Sequence, residues 1–286
     1  FCCVPMQKYQ HEASREKYSK FSGLELSILK NFDRFHREKP IDKFILEVKS
    51  AIENYGINYV YFTDESFLSM KEERFKEFID KYREIKLPFF IESRVETIKP
   101  GYAEALESVG CVGIAMGIES GSLKIRQTLL NRLTKDDEII NAFKKFEKTS
   151  IRISANNIIG FPGETREDIM KTAEINRQIN PDSIIVNAFR PYSGTKLRKI
   201  CIEMGLIPAE ERAEDNRIYC AFYNGVMPAE EIEGIRKVFN LYVKFPKNRW
   251  DEIRRAETDE KLYETLKHEL REQDMLYRNK IKIKSV

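Results

Sequence analysis

From residue 41 to residue 206 the chain alternates two apolar patterns, one with helical spacing and one in short unbroken runs. Phe44, Ile45, Val48 and Ile52 share one face of a helix predicted over 41–55, which Gly56 ends. A strand follows over 57–62. Phe75, Phe78, Ile79 and Tyr82 then mark an amphipathic helix, with Ser69 and Glu72 at capping-box spacing ahead of it. The unit recurs, with strands predicted at 87–91, 112–118, 151–159 and 183–189, a helix over 101–108, helical segments to 148 and a helix opened by Thr165 and Asp168. Five strands separated by helices make a parallel sheet, because parallel neighbours need crossover connections. The strands are apolar almost throughout, the pattern of strands covered on both faces. Beyond residue 208 only helical periodicity remains, over 230–242 and 258–277, so a helical appendix follows an α/β fold.

The ends of the strands are the unusual feature. Thr63-Asp64-Glu65, Glu92-Ser93-Arg94, Glu119-Ser120-Gly121, Gly160-Phe161-Pro162-Gly163 and Arg190-Pro191-Tyr192-Ser193-Gly194-Thr195 each follow or close a predicted strand. Carboxyl strand ends are where barrels and open α/β folds assemble active sites. The stretch 151–165 is central: a β-branched strand runs into Gly160, Pro162 and Gly163, which free the backbone for close approach to a ligand. Taken alone, that stretch is equally consistent with a tight turn needed for packing.

Composition narrows the classes. Lys plus Arg at 49 against Asp plus Glu at 46 leaves only +3, so no global field points to nucleic acid or an anionic membrane. No apolar run reaches the roughly 18 residues that span a bilayer, and no charged-then-apolar leader opens the chain, so no membrane span and a cytoplasmic location are expected. Cys2, Cys3, Cys111, Cys201 and Cys220 are an odd set that reads as reduced thiols or metal ligands. The opening Phe1-Cys2-Cys3-Val4-Pro5 lacks an initiator Met, and the chain is expected to be a trimmed piece of a longer protein whose residues 6–39 form a long connection.

Taken in order, these motifs resemble the radical S-adenosylmethionine (SAM) superfamily, most closely the group whose members often carry an amino-terminal cobalamin-binding domain. Phe1-Cys2 resembles the last two residues of its Cys-x3-Cys-x2-Cys loop. Thr63-Asp64-Glu65-Ser66-Phe67, Gly117-Ile118-Glu119-Ser120, Gly160 to Thr165 and Arg190 to Thr195 resemble the motifs after its second, fourth, fifth and sixth strands. The resemblance implies a partial (β/α)6 TIM-like barrel over 1–206, its first strand missing here, and a helical extension over 207–286. It implies a [4Fe-4S] cluster held by three thiolates, of which Cys2 is one, and SAM bound to the open iron. Two of the three cysteines are absent, and Cys3 cannot replace them because adjacent residues do not easily reach two irons of one cubane. A reducing donor such as flavodoxin or ferredoxin, cleavage of SAM to a 5′-deoxyadenosyl radical, and cobalamin bound by a further domain in a methyl transfer or related reaction complete what the family implies.

The resemblance also assigns roles. Asp64 and Glu65 accept hydrogen bonds from the methionyl ammonium. Arg94 either pairs with the SAM carboxylate or forms a structural salt bridge. Glu119 and Ser120 meet the ribose or the methionyl end. Asn156 and Asn157 alternate across a strand, so only one faces the barrel interior and the ribose hydroxyls. Gly160, Phe161, Pro162 and Gly163, with Phe189, Arg190 and Pro191, approach the adenine through backbone groups. The substrate, a small molecule or a peptide, has no legible motif. Two other readings stay open: an acid-base barrel enzyme using Glu65, Glu92 and Glu119, which lacks a strand-end histidine, and a binding module without chemistry.

With one expected ligand in place of three, this chain reconstituted anaerobically with iron and sulfide is expected to hold no stable cluster and to release no 5′-deoxyadenosine. Extension upstream by the two cysteines should restore both, and equal release from the two proteins would exclude Cys2 as part of a three-cysteine loop.

Overall fold

The computed structural model describes residues 38–209 and 222–284. Cys2, Cys3 and Cys220 lie outside the described residues, as does nearly all of the connection expected over 6–39. Five strands, β1 (Val60–Tyr61), β2 (Phe89–Arg94), β3 (Cys111–Glu119), β4 (Arg152–Ile159) and β5 (Ser183–Ala188), pair in parallel in the order of the sequence. Sequential order with a helix at each crossover curls the sheet into a half-barrel, the partial TIM-like architecture expected. β1 is much shorter than the predicted strand over 57–62. Among the described residues it has one neighbour, and its pairing begins where the Val60 amide donates to the Pro88 carbonyl at 3.0 Å.

Around the sheet lie α1 (Ile41–Tyr55), α2 (Glu72–Tyr82), α3 (Tyr102–Ser108), α4 (Leu123–Thr128), α5 (Asp136–Lys144), α6 (Arg166–Ile179) and α7 (Lys196–Glu203). α1 has the predicted bounds, and Gly56 closes it at φ 62. Phe75, Phe78, Ile79 and Tyr82 of α2 are buried as their spacing demands. The capping box expected from Ser69 and Glu72 does not form. Ser69 sits in a short 3-10 turn and donates its hydroxyl to the Ser66 carbonyl at 2.7 Å, while Lys71 takes the position that opens α2.

The strands were expected to be covered on both faces; among the described residues the two faces differ. Phe89, Ile91, Ile114, Met116, Ile118, Ala155 and Ile159 point outward and are buried. The opposite set, Phe90, Glu92 and Arg94 with Gly113, Ala115, Gly117, Ser154, Asn156 and Ile158, lines the inner face, as period-two alternation and the strand register require. β5 accordingly alternates exposed and half-buried positions. Before Glu119, β3 turns the small residues Gly113, Ala115 and Gly117 inward, and a Cβ at Gly113 would stand 2.6 Å from the Phe90 ring.

After the barrel, α8 (Ala229–Lys244), α9 (Trp250–Ala256) and α10 (Glu260–Lys284) form the helical appendix. Ile232, Ile235, Val238 and Phe239 join one buried cluster with Ile159 of β4 and with Ile169 and Ala173 of α6. Arg177 of α6 donates to the carbonyls of Tyr242, Val243 and Phe245 at 2.9, 2.8 and 2.5 Å, satisfying the acceptors that the end of α8 leaves open. Arg166 at the head of α6 pairs with Glu257, whose carboxylate also accepts from the Tyr242 hydroxyl. α6 is thus the strut between barrel and appendix.

The start of α6 is pinned to β3 as well. Thr165 caps the helix where expected and closes a capping box with Asp168, Ser122 donates to Asp168 at 2.8 Å, and the Gly121 amide donates to Thr172 at 2.7 Å. Burial works against the Asp168 charge, but Lys171, Ser122 and Thr165 outweigh it and hold the carboxyl down at about 2. A Cβ at Gly121 would stand 2.4 Å from the Lys171 carbonyl oxygen and from the Thr172 Cα. Both are backbone, so Gly121→Ala must push α6 away from the end of β3. The expected loss is about 2 to 3 kcal/mol, read as a lower urea midpoint at constant slope. An unchanged midpoint would show that α6 can move without cost.

Candidate cofactor site

Because all five strands run the same way, the polar clusters that follow them gather at one edge of the half-barrel. Asp64 and Glu65 follow β1, both exposed, and line a cavity with Tyr61, Thr63 and Arg74. Below them Tyr61 donates its hydroxyl to Glu92 on the inner face, a hydrogen bond that pushes the phenol up to about 12. Arg94 closes β2 and pairs with Glu96 at 3.1 Å. Glu96 in turn accepts from Thr134 at 2.7 Å.

At the end of β3 the chain leaves regular pairing between Gly117 and Glu119, and Glu119 takes φ 65. A non-glycine residue in this region is strained and needs support. Arg132 supplies it: one guanidinium nitrogen donates to the Gly117 carbonyl at 2.9 Å and the other lies 3.4 Å from the Glu119 carboxylate. The carboxylate folds back over Gly117, where a Cβ would stand 2.5 Å from its oxygen, so a side chain at this position would displace the Glu119 carboxylate from its place beside Arg132. Burial raises the Glu119 carboxyl, and Arg132 and Arg94 oppose that rise. Ser120, expected beside Glu119 at the ligand, is fully buried; its hydroxyl accepts from the Ser122 amide and its carbonyl from Arg126 at 2.8 Å. Only Glu119 of that pair faces the inner side.

β4 divides its two asparagines. Asn157 faces the helices, fully buried, donating to the carbonyls of Ala155 and Ile185 and exchanging hydrogen bonds with Asn176 of α6 at 2.8 and 3.3 Å. Asn156 faces inward beside Gly117 of β3, and its buried Oδ1 has no hydrogen-bond partner among the described residues. Ser154, one pleat earlier on the same face, likewise has a buried hydroxyl without a partner. A buried acceptor left open costs about 1 to 3 kcal/mol unless something fills it, and a ligand hydroxyl is a fitting donor.

The turn after β4 is built around a side chain that the sequence reading left without a role. Glu164 folds back so that one carboxyl oxygen accepts from the amides of Gly160 and Phe161 at 2.6 and 3.2 Å, and its other oxygen has no partner among the described residues. Burial outweighs the two amide donors and raises the carboxyl to about 8. The Phe161 and Phe189 rings lie 5.1 Å apart in a buried cluster with Leu197 and Cys201, so these residues turn side chains inward and leave backbone toward the strand edge. Gly160 and Gly163 have φ 85 and 72, which favour glycine. Pro191 is buried and its carbonyl accepts from Arg198 at 3.3 Å; Arg190 is half-buried beside it.

Of the residues tied to backbone carbonyls here, Arg132 and Arg126 were not legible, since they follow no periodic pattern. A buried glutamate four residues after a glycine was the available signal for Glu164. Cys111 and Cys201 are buried thiols, raised by burial to about 12 and about 11, which keeps them protonated and unlike metal-binding thiolates. Among the described residues no group of three or more His, Cys, Asp or Glu is arranged to hold a metal ion; the expected ligand Cys2 lies outside them.

The family model of the radical SAM superfamily matches residues 1–175, and the chain belongs to that superfamily, which is one of enzymes. An uncharacterized methyltransferase of Pyrococcus horikoshii is 27% identical over 215 residues, covering 71% of this chain and 46% of its own length. A tRNA-2-methylthio-N(6)-dimethylallyladenosine synthase of Buchnera aphidicola is 28% identical over 191 residues, covering 61% of this chain and 42% of its own length. The chain therefore spans less than half of either relative. Among solved structures, the radical SAM methyltransferase TsrM of Kitasatospora setae, with tryptophan and a SAM analogue bound, aligns over 59% of this chain and 34% of its own, with a TM-score of 0.50 at 14% identity. That likeness shows the fold.

The Glu164 carboxyl, held near 8 in the fold against an ordinary 4.5, stabilises the protein fully below pH 4.5, and that contribution is lost as pH rises through 8. Glu164→Gln keeps the shape without the titration. Over that window the wild type should lose stability relative to the glutamine variant, on the order of 1 kcal/mol per pH unit. A difference that stays constant with pH would mean that the carboxylate is already charged in the fold.

Proposed function

We propose that the described half-barrel is the SAM-binding core of a radical SAM enzyme that transfers a methyl or related group, with cobalamin carried on a further domain. The observation that carries the SAM reading is the inward, buried Asn156 Oδ1, which has no hydrogen-bond partner among the described residues and stands beside Gly117. An open acceptor on a ligand-facing strand, next to a strip of small residues, suits a ribose hydroxyl, as the family resemblance implies. Asp64 and Glu65 are accessible carboxylates for the methionyl ammonium, and Arg94 is a half-exposed guanidinium for the carboxylate. The backbone of Gly160 to Gly163 and of Phe189 to Pro191 is the part of those turns available to adenine. Cys2 would supply one cluster thiolate. In this superfamily the [4Fe-4S] cluster, fed by a donor such as flavodoxin or ferredoxin, supplies the electron that cleaves SAM to a 5′-deoxyadenosyl radical.

The methyl-transfer part rests on the motif resemblance and on the printed names of the two sequence relatives. No helix among the described residues is long and apolar enough to cross a membrane, and a cytoplasmic setting is part of the same reading. The acid-base alternative is weaker on the structure: Glu92 is engaged by Tyr61, Glu119 by Arg132, and the one described histidine, His268, is exposed on α10.

The two adjacent asparagines provide the test. In the intact, anaerobically reconstituted protein, Asn156→Ala should weaken SAM binding by calorimetry roughly 10-fold with little change in unfolding midpoint. Asn157→Ala should do the reverse, costing about 1 to 3 kcal/mol of stability by orphaning Asn176. Unchanged affinity in Asn156→Ala would remove that residue from the site.

A further inference from the structure

The turn that carries Gly160 to Glu164 is not completed by the barrel. Its outward backbone groups are taken by Asn224, a fully buried residue of the segment that leads into α8. Asn224 Nδ2 donates to the carbonyls of Phe161 and Glu164 at 3.0 and 2.9 Å, and the Gly163 amide donates to the Asn224 carbonyl at 2.7 Å. The Asn224 Oδ1 accepts from the amides of Val226 and Met227 at 3.0 and 2.9 Å, which folds its own segment into a matching loop. Both side-chain donors and both acceptor sites are therefore spent on backbone. Ile232 of α8 presses on the same turn, 3.1 Å from where a Gly160 Cβ would stand.

Two near replacements for the Asn224 side chain each fail for a nameable reason. Aspartate keeps the acceptor but replaces two donors with oxygens facing carbonyls, and alanine loses both halves. Glu164 and Asn224 grip opposite sides of the turn, one from within it and one from the appendix, so its backbone has a single arrangement.

We infer that Asn224 is a positioning residue for SAM: the helical extension, through this one side chain, sets the backbone of the Gly160 to Gly163 turn in the form that receives the nucleoside. The inference rests on the functional reading above and deepens it, since it makes residues beyond the barrel part of the cofactor site.

The test compares Asn224→Asp with Tyr242→Phe, which loses only the hydrogen bond to Glu257 and so loosens the appendix away from the turn. In the intact reconstituted protein, Asn224→Asp should weaken SAM about 10-fold or more by calorimetry, because two hydrogen bonds to the turn are lost. Tyr242→Phe should bind SAM like the wild type, even where its thermal midpoint falls as far as that of Asn224→Asp. Amide hydrogen exchange of Gly163 is read in the same proteins and should accelerate in Asn224→Asp alone. Wild-type affinity and unchanged Gly163 exchange in Asn224→Asp overturn the inference, and so does equal weakening by Tyr242→Phe, which would reduce Asn224 to general stability. If the wild type binds no SAM, the functional reading fails. The positioning of the turn is then decided by the Gly163 exchange alone: acceleration supports it and no change refutes it.

Discussion

Where a parallel strand stops, its last amides and carbonyls lose their ladder partners, and in this half-barrel many of them do so among packed loops rather than in open water. Satisfying those groups is the constraint on which this structure depends. Nearly every buried polar side chain near the strand edge has that duty. Arg132 takes the Gly117 carbonyl, Arg126 the Ser120 carbonyl, Thr172 the Gly121 amide, Glu164 the amides of Gly160 and Phe161, and Asn224 the carbonyls beyond them. These partners come from α4 and the loop after it, from the turn that precedes α6, from α6 itself and from the segment before α8. The strand edge is therefore assembled from the whole chain, although the strands alone define its outline.

This division explains what the sequence could show. Helix α1 and the buried face of α2 were legible because burial on one side of a helix imposes a 3.6-residue period, and Gly56 marks a stop that only glycine adopts freely. The five strands and their shared direction were legible because parallel strands need crossovers. The motifs at the strand ends share one edge for the same reason. What was not legible belongs to tertiary pairing. Ser69 had the right spacing for a cap, but a hydrogen bond to Ser66 claimed it first. Alternation said that one of Asn156 and Asn157 faces inward; the choice depends on Asn176, which lies a full connection away in sequence. Asn224 sits in a stretch with no period at all, and its role exists only because the Gly160 turn presents carbonyls at the matching distance.

Electrostatics follow the same geometry. Glu164 and Glu119 are both carboxyls raised by burial, yet they are held differently: Glu164 by amides of its own turn, Glu119 by a guanidinium from another loop. The first arrangement tolerates a neutral carboxyl, since an amide donor bonds either form. The second favours charge, which keeps Glu119 and Arg132 a coupled pair on the inner face.

The paired asparagines of β4 have a consequence for how roles are carried between relatives. Two identical residues stand side by side, one turned to the inner face and one bonded to a helix, and at 27% identity a gap placed one residue away would align either with either. The letter would still match, yet the inherited role would move from the proposed cofactor contact to packing. In this stretch, matched letters are a weak guide, and the side on which an Asn176-like partner stands is the stronger one.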